Sequence, residues 1–128
     1  MKLSIKSFAD AGILGTERLV LRALEDVDIG DYLILRTKKS KKTGGPLSGG
    51  SDAYWFPDHE VKAGDLVVVY TREGVASKKE LSGGRTAHFY YWKKKQAFWG
   101  NNGENKAVLI ETGSWRSEAP GESDVADE

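Results

Sequence analysis

Apolar residues recur along this chain with a period of two, and glycine, proline or clustered charge interrupts them at short intervals. Leu3, Ile5 and Phe8 are interleaved with Lys2, Ser4 and Lys6, the pattern of a strand with one wet face. Asp10, Gly12 and Gly15 then predict a turn. Residues 17–24 place Leu19, Leu21 and Ala23 on one face and Arg18, Val20 and Arg22 on the other. A helix also passes through these residues, but the short length and flanking turn signals favour a strand. After the acidic turn Glu25-Asp26-Val27-Asp28, residues 29–35 predict another strand, apolar on both faces in its middle.

The densest pattern lies at Tyr54–Tyr70. Tyr54-Trp55-Phe56 ends at Pro57, and Ala63-Gly64-Asp65 turns the chain into Leu66-Val67-Val68-Val69-Tyr70. Aromatic and β-branched residues suit a pleated, half-buried surface, and Pro and Gly punctuate it. The 66–70 run is apolar on both faces, as a central strand covered from both sides requires. Ala87–Trp92 predicts an aromatic strand, Asn101–Asn105 a hairpin turn, and Ala107–Ile110 the last strand. Residues 71–85 are polar and glycine-bearing. With no helix long enough to cover a sheet, about seven to nine short strands imply an all-β domain. Two antiparallel sheets packed face to face are the economical arrangement.

Two stretches fall outside this pattern. Residues 37–52 are Lys, Ser, Thr and Gly around a lone Pro46-Leu47, too little apolar area to offset the entropy of ordering, so a long flexible basic loop is expected. Residues 117–128 are small, acidic and non-aromatic, and predict a disordered tail. The chain carries 19 basic and 19 acidic residues, but five of the acids lie between Glu118 and Glu128. The body is therefore mildly basic, and its tail is able to compete for the same lysines as an anionic partner. There is no cysteine, which excludes disulfides, thiolate metal ligands and a cysteine nucleophile. No apolar run reaches signal-peptide or membrane-spanning length, so the expectation is a soluble cytoplasmic protein without membrane contact.

Four stretches, in this order, resemble the lamin tail domain family. They are Leu3-Ser4-Ile5-Lys6; Asp28-Ile29-Gly30-Asp31-Tyr32-Leu33-Ile34-Leu35-Arg36; Tyr54-Trp55-Phe56-Pro57 with Lys62-Ala63-Gly64-Asp65-Leu66-Val67-Val68-Val69; and Phe98-Trp99-Gly100-Asn101 with Ala107-Val108-Leu109-Ile110. The resemblance covers roughly residues 3–115. It departs from the family at Tyr32, where a Trp is frequent, and in the length of the 37–52 loop. It implies an immunoglobulin-like antiparallel β-sandwich over residues 1–116, of the stand-alone bacterial type. It also implies a binding and scaffolding role, since protein and DNA partners are described for lamin members. No site residue carries over, because the matching positions are core and turn positions.

The residues themselves offer little catalysis. Asp58-His59-Glu60 reads as a surface turn, and His88 as a packed strand residue. Gly44–Gly50 is glycine-rich but precedes a strand, whereas a phosphate cradle needs a helix N-terminus. Asn101–Asn105 reads as a plain turn rather than a calcium loop. No catalytic, cofactor or metal site is expected, and the reading is a non-enzymatic module that binds protein, by default a monomer. Nucleic acid is the alternative partner: Lys38, Lys39, Lys41 and Lys42 share one loop, and Lys93, Lys94 and Lys95 follow the aromatic strand. Seven lysines at one end are able to contact phosphates, with Tyr90 and Trp92 stacking on bases. An enzyme or enzyme-accessory domain is the third possibility.

Overall fold

The computed structural model describes residues 1–49, 51–100 and 102–121. Asn101 of the expected turn, and the expected acidic tail from Glu122 onward, lie outside the described residues. Ten strands are present among those described: β1 (Leu3–Ala9), β2 (Arg18–Ala23), β3 (Val27–Asp28), β4 (Tyr32–Lys38), β5 (Asp52–Trp55), β6 (Glu60–Val61), β7 (Leu66–Tyr70), β8 (Ser77–Glu80), β9 (Thr86–Tyr91) and β10 (Asn105–Glu111). They form a five-stranded sheet in the order β1-β2-β7-β9-β8, a three-stranded sheet β10-β4-β5, and the small pair β3-β6. The fold is an all-β sandwich.

Its core lies between the two larger sheets. Leu3, Leu19, Leu21, Val67, Val69 and Tyr90 come from the five-stranded side, and Tyr32 and Ile34 from the other. Phe56, Trp92 and Trp99 fill the space at the strand ends. The two-residue period sets this division. Along β2, Leu19, Leu21 and Ala23 are buried while Arg18 and Val20 are partly exposed and Arg22 is exposed, so residues 18–23 are strand.

Several boundaries and one pairing differ from the sequence-based expectation. Residues Ile29–Asp31 form a 3-10 turn rather than the start of a strand. Asp28 Oδ1 accepts from Gly30 N and His59 N, both at 2.9 Å, and caps that turn. The chain passes so close there that a β-carbon on Gly30 would fall 2.8 Å from the Asp58 Cα. At the basic loop, Thr37 and Lys38 belong to β4 and Asp52 to β5. Between them the chain folds back, with Lys39 bridged to Pro46 and Thr37 Oγ1 donating to the Leu47 carbonyl at 2.6 Å.

The pairing correction concerns β7 and β9, which run parallel where antiparallel pairing throughout was expected. The polar segment 71–85 is the cause. It contains β8, which crosses to the far side of the position β9 will occupy, and the chain then returns to enter β9 between β7 and β8. A strand, rather than a helix, makes this crossover. β8 reads SKKE and is exposed along its whole length, so hydrophobic periodicity carries no trace of it.

Candidate interaction surfaces

Five of the seven candidate lysines border two depressions beside the three-stranded sheet, while Lys93 lies against Glu73, Gly74 and Val75. Lys38 ends β4, and Lys38, Lys39 and Lys41 line one depression together with Leu47, Asn102 and Glu104. Lys94 and Lys95 border a neighbouring depression with Arg36, Asp52 and Phe98. Asp52 holds this second depression together, its carboxylate taking Lys94 Nζ at 3.2 Å and Arg36 Nη1 at 3.6 Å. Lys42 and Lys93 are exposed, and Lys93 turns the chain out of β9 with φ of 64°.

The aromatic half of that expectation needs correction. Tyr90 and Trp92 are only 6% and 8% exposed. Tyr90 packs on Phe56, and Trp92 on Tyr54, Phe98 and Trp99. Neither ring is available to stack on a base. Burial also pushes the Tyr90 hydroxyl up to about 12, with the nearby Tyr54 adding to the shift. The outward residues of β9 are Phe89 and Tyr91, and Tyr91 stacks on Tyr70 beneath the Arg72 guanidinium.

Asp65 and His88 form a buried pair, with Oδ2 2.9 Å from Nε2. The carboxylate also accepts the backbone N–H groups of Lys62 and Thr86. Burial alone would raise its pKa. The hydrogen bonds from His88, Lys62 and Thr86 and the attraction of His88 outweigh burial and hold it below the usual carboxylate range. The His59 ring lies 5.0 Å from that of His88, but among the described residues no group of three or more His, Asp or Glu side chains is placed to hold a metal ion. The carboxylate is held by Lys62 of its own turn and by Thr86 and His88 of β9, so it fastens the start of β7 to β9.

A third surface was not singled out by the sequence. In the three-stranded sheet, Tyr32 and Ile34 of β4, Tyr54 of β5 and Ala107 and Leu109 of β10 face the core. The alternate residues therefore point outward, and nearly all are apolar. The registers align them in rows across the sheet. Ile110, Leu33 and Trp55 make one row, and Val108, Leu35 and Ala53 the next. Trp55 is 51% exposed although Nε1 donates to the Gly30 carbonyl at 2.8 Å. After β10 the chain crosses the end of the sheet, with Thr112 N donating to the Asp31 carbonyl. It then sets Trp115, 62% exposed, edge-on against Trp55 at 5.2 Å between ring centres.

An antiparallel sheet with one solvated face ordinarily alternates apolar-in with polar-out. Here both faces of the three-stranded sheet are apolar, and only the inner one is covered by the five-stranded sheet. Leu33, Leu35, Val108 and Ile110 of the outer face are half-buried, and Trp55 and Trp115 are its exposed large apolar side chains. The signal was present in the sequence as the doubly apolar middle of residues 29–35. No protein-family model matches the chain, and no curated protein is similar to it in sequence.

Proposed function

We propose that this chain is a non-enzymatic interaction module of the lamin tail domain type that binds another protein through the outer face of its three-stranded sheet. The carrying observation is the exposed Trp55–Trp115 pair beside rows that are otherwise leucine, isoleucine, valine and alanine. Large, rigid aromatic side chains with a polar handle are the usual energetic anchors of protein interfaces. The four stretches that resemble lamin tail domains support the same reading, since that family serves as a binding and scaffolding module. Affinity capture with the wild-type chain and with Trp55→Glu tests the proposal. Partners should be retained by the first and lost by the second, and identical capture by both would overturn it.

A second reading, nucleic-acid binding, rests on two lysine-lined depressions, one with Lys38, Lys39 and Lys41 and the other with Lys94 and Lys95. It operates through phosphate contacts alone, because Tyr90 and Trp92 are buried. The expected signature is an affinity for duplex DNA whose logarithm falls by about 0.9 per contact for each tenfold rise in salt. Changing Lys38, Lys39, Lys41 and Lys42 to Ala together should flatten that slope. DNA titrations at two salt concentrations measure it, and a slope unchanged by the four substitutions excludes this end of the molecule.

A further inference from the structure

The turn that leads from Trp99 into β10 carries the chain's single Asn-Gly pair, Asn102-Gly103. Asparagine is a chemically labile residue, because the backbone nitrogen of the following residue is able to attack its side-chain amide. A glycine in that following position puts no side chain in the path of the attack. Asn102 and Gly103 are both exposed, and Gly103 has a φ of 76°.

Two groups stand where such an attack builds negative charge. The Glu104 N–H donates to Asn102 Oδ1 at 3.0 Å. Oδ1 is the atom that becomes an oxyanion when Gly103 N adds to Cγ, so this donor is already aimed at the developing charge. The second group is Lys39, whose Nζ lies 3.9 Å from the point where a β-carbon on Gly103 would stand. An ammonium so close to Gly103 favours the deprotonated form of its backbone nitrogen, which is the nucleophile. Lys39 is also tied to the turn through its backbone, where its N–H donates to the Glu104 carbonyl at 2.7 Å. Asn105 gives the contrast. Its Nδ2 donates to the Trp99 carbonyl at 2.8 Å, its Oδ1 is buried, and Lys106 follows it in place of a glycine.

We propose that Asn102 is a self-modifying site, converted to aspartate and isoaspartate with the help of Lys39 and the Glu104 N–H. Gly103 N gives up its proton to solvent and adds to Cγ. The intermediate collapses as Nδ2 takes a proton and leaves as ammonia, closing a succinimide ring between the two residues. Water then opens the ring at either carbonyl, one opening giving aspartate and the other carrying the backbone through the side chain as isoaspartate. Water is the one co-reactant. Asn102 and Glu104 lie on the wall of the depression lined by Lys38, Lys39 and Lys41. The product places a second carboxylate there and lowers the attraction of that depression for a polyanion as the protein ages. The inference is independent of the protein-binding reading.

Peptide mapping by mass spectrometry, on the purified chain incubated at physiological temperature and slightly alkaline pH, tests this. The mass gain of an amide-to-acid change should accumulate at position 102 and be absent at position 105. Labelling by an isoaspartate-specific methyltransferase should rise in parallel. Lys39→Gln, a change at an exposed position whose fold circular dichroism checks, should slow the accumulation about two- to fivefold, the scale of an exposed charge interaction. In urea strong enough to unfold the chain, the same substitution should leave the rate unchanged, because the two groups are no longer held together. Asn102→Gln should abolish both signals. An amide that persists at position 102, or equal rates in the folded wild type and folded Lys39→Gln, overturns the proposal. A slowing by Lys39→Gln that is just as large in the unfolded chain also overturns it, since the folded turn would then contribute nothing.

Discussion

Glu17 is fully buried, and four donors converge on its carboxylate. Gly12 N and Trp99 N reach Oε1 at 2.8 and 3.2 Å, and Thr71 Oγ1 and Phe98 N reach Oε2 at 2.5 and 3.1 Å. These donors come from three separate loops, so one side chain ties the first turn, the exit of β7 and the Phe98-Trp99 corner together. Charge-assisted hydrogen bonds of this kind are worth about 1.5–3 kcal/mol each, and removing the acceptor strands buried donors. Glu17→Ala is expected to cost about 3–5 kcal/mol, and Glu17→Gln somewhat less, both read by urea denaturation. Asp65 gives a second residue-level expectation. Its folded pKa is lowered, so its contribution is complete above the unfolded value of about 4 and disappears as pH falls through the folded value. Stability measured between pH 7 and pH 2 should show an acid limb that Asp65→Asn shallows, and an unchanged limb would assign it to other carboxylates. Neither residue announced itself in the sequence. Glu17 reads as a charge at a strand entrance and Asp65 as a turn former, because the loops that bury them are brought in from elsewhere in the chain.

At the scale of elements, alternation was readable wherever only one parity is apolar. Residues 18–23 fold as their period predicts, with Arg18 and Arg22 outward and Leu19 and Leu21 inward, whereas along residues 3–8 a bulge between Ile5 and Ser7 breaks the period and leaves Ile5 and Phe8 exposed. In β9 both parities are aromatic or nearly so, and nothing local states which set is buried. The parallel register with β7 decides it, pairing Tyr90 with Val69 on the core side and Tyr91 with Tyr70 outside. That is why the aromatic residues proposed for base stacking fell on the wrong side of the strand. The outer set is instead packed by the segment after β7. A β-carbon on Gly74 would lie 2.5–2.8 Å from the Tyr91 ring, while Arg72 covers both Tyr70 and Tyr91. Gly74→Ala should therefore cost about 1–3 kcal/mol through displacement of that ring. In a Tyr91→Ala background the same change should be close to neutral. A double-mutant cycle measures the coupling, and equal costs in both backgrounds would place the strain elsewhere.

For the molecule as a whole, the arrangement of ties implies that the two large sheets cannot separate in stages. Tyr32 is fully buried at the start of β4; its hydroxyl accepts from Lys2 N and donates to Glu111 Oε2, each at 3.1 Å, so the first and last strands meet on one side chain. Trp92, from the end of β9, packs on Tyr54 of β5 and on Phe98 and Trp99, and Glu17 fastens that corner back to β2. Each sheet thus supplies part of the other's covering, and neither has a core of its own. A single cooperative transition follows. The four tryptophans permit a direct check, since Trp92 and Trp99 report the core and Trp55 and Trp115 the outer face. In a Trp55→Phe/Trp115→Phe variant, fluorescence sees the core alone. Its urea transition should superimpose on the far-ultraviolet circular dichroism transition, with a slope of about 1–3 kcal/mol/M. Loss of the core signal at lower urea than the strand signal would show the sheets parting first, and would mean that the loop ties described above do not couple them.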